Sequence, residues 1–159
     1  MTDAASPKPP VLTFIARFVV DVGAPIDLGE SVQGRRRFVP VVGGTLDGPY
    51  LSGRILPGGG DWQTIRPDGV IDLAARYTLE LVDGTRVEFD NQGLRHDETG
   101  ATEGEALATS QYYFQTTARL IAPVGPYQWL TRTVFVAGAE RRSDGVHLEL
   151  FALGDFSTS

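Results

Sequence analysis

The chain has 159 residues, no cysteine, 14 basic against 20 acidic side chains and a formal charge of −6. This length sets one domain, and the missing thiols exclude disulfides, a thiolate nucleophile and any Cys-based zinc or iron–sulfur site. The acidic balance argues against a nucleic-acid partner, and no run approaches the roughly 18 apolar residues of a membrane helix, so the sequence reads as a soluble, cytoplasmic protein with no membrane partner.

Residues 1–10, MTDAASPKPP, have no apolar stretch of signal-peptide type and read as a disordered lead-in. Residues 11–154 form the expected domain and 155–159 a C-terminal tail. Nineteen glycines and ten prolines punctuate short runs rich in Val, Ile, Thr, Phe and Tyr, an antiparallel β pattern. The expected strands are Leu12–Val20, Arg37–Leu46, Gly48–Leu56, Ala74–Leu81, Arg86–Asn91, Gln111–Ala118, Trp129–Val136 and Gly145–Ala152. Arg35, Arg36 and Arg37, where the second strand begins, read as a solvated loop or strand edge with no assigned role. Asp83-Gly84 and Ser143-Asp144-Gly145 suit tight hairpin turns, which predicts a mostly sequential meander.

Alternation sorts the faces of three strands. It places Tyr77, Leu79 and Leu81 inside, then Val87, Phe89 and Asn91, then Tyr112, Phe114 and Thr116. Thr102–Thr109 is the one short helix candidate. About eight alternating strands in one domain lose their exposed edges by closing into a single antiparallel β-barrel, with a sandwich as the competitor.

Pro57-Gly58-Gly59-Gly60-Asp61-Trp62 is the most unusual stretch. It has no Lys-Ser/Thr after its last glycine, so it is not a phosphate loop; it reads as a turn or as the rim of a pocket. Asp61 beside Trp62 is a candidate acid or base if the aromatic wall desolvates it, and a turn-tying carboxylate otherwise. His96 and His147 lack metal-site spacing; His96 falls in a polar loop and His147 on an exposed strand face. No serine sits in a nucleophile elbow. The residues left for chemistry are Asp61, Tyr77 and Tyr112 in catalytic roles, with Trp62, Arg76, Asn91, Phe114, Tyr127 and Trp129 lining a ligand site. Core packing is the competing use of the same aromatics.

The ordered set Pro57–Gln63, Asp68-Gly69, Ala75-Arg76-Tyr77, Asp83-Gly84, Asn91-Gln92-Gly93, Tyr112–Thr116 and Tyr127–Leu130 resembles the domain-of-unknown-function family 3237, also called uncharacterised protein family 0311. The resemblance runs from about Leu12 to Leu153. It implies a lipocalin-like β-barrel and no established activity. It matches the family pattern at Gly44, Gly59, Asp61, Trp62, Arg76, Tyr77, Asn91, Gly93, Tyr112, Phe114, Thr116, Tyr127 and Trp129. Gln115 and Thr131 depart from that pattern, so no anion-binding role carries over to them.

Three functions follow as expectations. The first is a cofactor-independent, metal-free enzyme acting on a small aromatic or polyketide-like molecule by proton transfer, as an isomerase, cyclase or lyase. The second is a non-catalytic barrel binding a similar small apolar ligand. The third is an interaction module forming a homodimer through its outer face.

Overall fold

The computed structural model describes residues 5–97 and 112–159. The expected helix Thr102–Thr109 lies outside the described residues. The described residues form ten strands: β1 (Leu12–Val22), β2 (Ile26–Ser31), β3 (Gly34–Asp47), β4 (Gly53–Ile55), β5 (Gly59–Ile65), β6 (Ile71–Leu81), β7 (Arg86–Asp97), β8 (Tyr112–Ile121), β9 (Phe135–Arg142) and β10 (Gly145–Leu153). β1 pairs with β10 on one side and β3 on the other, so the sheet closes into an eight-stave antiparallel barrel.

Both short strands are parts of broken staves. β4 and β5 lie between β3 and β6 and run in the same direction, so together they make one stave kinked at Leu56–Gly58. β2 likewise continues β1 along β3 beyond a bend at Gly23–Pro25. The remaining pairings, β6 to β7, β8, β9 and β10, are sequential, as the meander reading requires.

Three expected elements are corrected. Of the run Gly48–Leu56 only Gly53–Ile55 is strand; at the corner, Tyr50 N–H donates to the Ile15 carbonyl and Leu51 is buried. Trp129–Val136 is not one strand. Gln128–Arg132 forms a 3-10 turn, stitched by Leu130 N–H to the Tyr127 carbonyl, and β9 begins only at Phe135. That turn drives Trp129 and Leu130 into one end of the barrel, where both are buried.

The third correction concerns Pro57–Trp62, which is barrel wall and not a rim. Only Pro57 and Gly58 turn; Gly59 already pairs with Val41. The glycines clear space for the protein's own aromatics: a methyl on Gly59 would fall 2.3 Å from the Arg76 carbonyl oxygen and 2.6 Å from Tyr77 Cβ. One on Gly60 would fall 2.0 Å from the Phe38 ring.

Inside, the closed end is apolar. Phe18, Phe89, Leu79, Leu130, Phe135 and Leu150 are essentially inaccessible to water. Trp129 stacks on Phe156 at 5.6 Å between ring centres and caps that end. Towards the other end the inward rows turn polar, and this change of lining defines the site.

Candidate functional site

Strand register builds the polar end row by row. One inward row runs Val39, Asp61, Ala75, Asn91, Ala118, and the next runs Arg37, Gln63, Leu73, Gly93, Thr116. A third brings Ile65, Ile71, Arg95 and Phe114 together. Because side chains alternate across a strand, residues two apart share the interior. A cavity of about 60 Å³ lies among these rows, lined by Asp61, Gln63, Tyr77, Asn91, Arg95 and Thr116, with Arg141 and apolar side chains beside them. Pockets for whole drug-sized ligands are roughly 300–1,000 Å³. This one has room for a head group.

Asp61 is held by two donors. Gln63 Nε2 donates to Oδ2 at 2.6 Å, and Ala74 N–H donates to Oδ1 at 3.1 Å. Gln63 is in turn fixed by Arg37, whose Nε donates to Gln63 Oε1 at 2.6 Å. Burial pushes the Asp61 carboxyl up to about 6, against the opposing effect of Gln63, Ala74 and the Arg95 and Arg37 charges. Tyr77 is 5% exposed, and its phenol is driven well above its ordinary value by burial first and by the Asp61 charge second. It therefore remains a neutral O–H donor. Arg95 is 3% exposed, with its guanidinium 5.6 Å from the centre of the Phe114 ring. Burial, then the Arg37 and Arg141 charges, bring its pKa down to about 10. Among the described residues, Asn91 Oδ1 and Thr116 Oγ1 are buried polar atoms with no hydrogen-bond partner.

The nine residues singled out from the sequence divide. Asp61, Tyr77, Asn91 and Phe114 meet at the cavity. Tyr112 reaches the same end but clasps β9, its hydroxyl accepting from Arg141 N–H at 2.5 Å. The other four lie elsewhere. Trp62 follows Asp61 in a strand and so faces outward, 43% exposed, packed on Phe38 at 4.8 Å. The barrel interior, not Trp62, desolvates Asp61. Arg76 also points out, paired with Glu88 at 2.7 Å. Trp129 caps the closed end, with Tyr127 packed against that part of the core. Gln115 is exposed on the outer face. His96 belongs to β7 and stacks on Tyr113 at 5.1 Å, not in a loop. His147 is half-buried and hydrogen-bonded to Asp144 at 2.7 Å, not exposed.

Sequence reading missed Arg37, Gln63, Arg95, Thr116 and Arg141 as site residues. Alternation continued along each strand finds three of them, Asp61 in implying Gln63 in, Asn91 in implying Arg95 in, and Phe135 in implying Arg141 in along β9, while Thr116 already falls on the inward face by the same rule. Arg37 needed the partner register.

Residues 10–153 match the model of a protein of unknown function, DUF3237. A UPF0311 protein of Bradyrhizobium diazoefficiens is 36% identical over 144 residues, 88% of this chain and 91% of that protein. A β-barrel-like protein of Acinetobacter baumannii superposes with a TM-score of 0.84 at 35% identity, covering 93% of this chain and 98% of the other. A protein from Penicillium herquei described as an enzyme superposes at 0.74 with 19% identity, over 94% and 98% of the two chains, a likeness of fold alone. Among the described residues no helix is long and apolar enough to cross a membrane.

Proposed function

Since the chain belongs to the DUF3237 family, and its barrel carries a carboxylate in the wall of a largely apolar cavity, we propose that it is a cofactor-independent enzyme that moves a proton on a small aromatic or polyketide-like molecule. The observation that carries this reading is Asp61, which lines the cavity with a carboxyl pKa pushed up to about 6. A base with its pKa near the working pH combines a populated carboxylate with useful proton affinity. Tyr77 supplies a neutral hydroxyl for a developing enolate or carbonyl oxygen, and Arg95 supplies positive charge. The reactive end of the ligand enters the cavity, and its ring system lies outside it towards the mouth, because the interior space is only about 60 Å³. An isomerase, cyclase or lyase uses such a step. The same barrel fold serves an enzyme in Penicillium herquei, which is analogy only.

The test is wash-in of solvent deuterium at acidic C–H positions of a panel of hydroxyaryl ketones and 1,3-diketones, followed by proton NMR. Protein-dependent exchange should rise with pH through about 6, as the carboxylate forms, and then level. Asp61→Asn should cut it by about 10²-fold or more. Exchange that persists undiminished in Asp61→Asn would remove the base assignment.

The second reading, a non-catalytic binding barrel, is favoured by one feature. Both Asp61 oxygens already accept a hydrogen bond from the protein. Ligand binding with no exchange in either protein would support it.

A further inference from the structure

Two oxygens in the cavity lining are not used by the fold. Asn91 and Thr116 are 6% and 5% exposed, and among the described residues neither Asn91 Oδ1 nor Thr116 Oγ1 has a hydrogen-bond partner. Buried polar atoms are normally satisfied, and a bare one destabilises the barrel that holds it. Strand register sets the pair side by side. Asn91 lies opposite Ala118 and Thr116 opposite Gly93, so they are diagonal neighbours on the inward face of β7 and β8, with β-carbons roughly 7 Å apart. One oxygen atom placed between them reaches both at ordinary hydrogen-bond length. The wall on either side is stripped to methyl groups or less: Ala75 and Ala118 flank Asn91, and Gly93 and Ala137 flank Thr116. Neighbours in their own rows therefore leave the space in front of both oxygens open.

The chemistry of the pair selects what fits there. The Asn91 carbonyl oxygen only accepts, whereas a threonine hydroxyl also donates. The group that donates to the first and accepts from the second through one atom is a neutral hydroxyl; a ketone or ether oxygen has no hydrogen for Asn91. Asp61 stands across Ala75 from Asn91, two strand spacings or about 10 Å of backbone away. That spacing suits the two ends of one small head group. We infer that Asn91 and Thr116 are a specificity pair that reads a neutral hydroxyl, phenolic or enolic, a few bonds from the carbon presented to Asp61. The inference rests on the reading of this cavity as a ligand site and assigns that ligand its chemical class: a hydroxyaryl ketone or its enol equivalent. A cavity of about 60 Å³ takes the hydroxyl and the carbons beside it.

Calorimetric titration at pH 7 with three probes tests it. Meta-hydroxyacetophenone carries a neutral hydroxyl too far from its own ketone to bond it, meta-methoxyacetophenone keeps the oxygen without its hydrogen, and acetophenone has neither. The hydroxy ketone should bind wild type about tenfold more tightly than either relative. Thr116→Val and Asn91→Leu should each bring that preference below about threefold while acetophenone affinity is kept. Thr116→Val should also melt no lower than wild type, since a methyl group replaces an oxygen with no partner in the fold. If Asn91→Leu does not fold, Thr116→Val carries the test. A wild-type preference under about threefold, a methoxy ketone that binds as well as the hydroxy ketone, a preference that Thr116→Val leaves intact, a fall in the Tm of that variant, or no binding of the hydroxy ketone overturns the inference. A hydroxyl preference without any deuterium exchange at the probe's methyl group leaves it standing and removes the proton-transfer reading; exchange that is equally fast on acetophenone and ignores Thr116→Val does the opposite.

Discussion

Asp61 differs from the chain's turn and surface carboxylates in what surrounds it. Asp68 and Asp83 sit in exposed turns and Asp27 beside the bulge of β2, where backbone N–H groups hold their carboxyls below the usual range, and Glu80 is held down by Arg54 and Arg86. Asp61 has two hydrogen bonds as well, yet burial outweighs them and leaves its pKa near 6. The sign for stability follows. A carboxyl that ionises later in the folded state than in the unfolded chain favours folding below its unfolded value near 4, and that contribution is lost as pH rises through about 6. Wild type and Asp61→Asn should therefore be similar in urea melts near pH 4, and the variant should be the more stable at pH 7. After discounting for its partial exposure, the difference should be roughly 2 kcal/mol. An equal gap at both pH values would remove burial as the cause. Gln63→Met should move the Asp61 titration further up, because the Gln63 hydrogen bond lowers it. Carboxyl ¹³C shifts followed with pH would register the direction.

Kinked staves explain both the glycines and the limits of reading strands from sequence. Gly59→Ala would press its methyl on the Arg76 carbonyl and Tyr77 Cβ, atoms fixed by the β5–β6 ladder, and should cost about 3 kcal/mol. Gly60→Ala meets the Phe38 ring first, a side chain that can be trimmed. Chemical melts should find Gly60→Ala destabilised and the Phe38→Leu, Gly60→Ala pair recovering part of the loss relative to Phe38→Leu alone; no such partner exists for Gly59→Ala. Alternation was legible wherever an inward row was apolar: Tyr77, Leu79 and Leu81, and Val87 and Phe89, all lie inside. It failed where the inward row became polar. β7 read as ending at Asn91 because the next inward positions are Gly93 and Arg95, and a buried arginine looks like the end of a strand. Asp61 and Trp62 were read as one site because they are adjacent, although adjacent strand residues face opposite sides. The 3-10 turn at Trp129 carries strand-like letters, and only the need to fill the barrel end selects the turn.

At the scale of the molecule, the apolar core and the cavity that holds Asp61 sit towards opposite ends of one barrel. The closed end is packed by Phe18, Phe89, Leu130 and Phe135 and capped by Trp129 against Phe156 and Tyr50, at 5.6 Å and 6.1 Å between ring centres. The residues after β10 belong to this cap: Phe156 rests on the core, and the Arg132 guanidinium donates to the Ser159 carbonyl. The polar end spends stability instead, holding Asp61, Arg95 and the unsatisfied Asn91 and Thr116 in an enclosed space. Buried charge is tolerable there because strands anchored in the apolar end fix the wall that carries it. The two ends should then respond separately. Phe156→Ala removes a half-buried ring, so it should cost about 1.5 kcal/mol, less than the ~3–5 of a fully enclosed phenylalanine, and lower Tm by about 3–6 °C. The Asp61 titration should stay as in wild type, since the cavity lies towards the other end of the barrel. Calorimetric melts and carboxyl ¹³C titrations of the one variant read both quantities, and an Asp61 titration that shifts in step with the loss of Tm would mean that the cavity is held by the whole core and not by the wall around it.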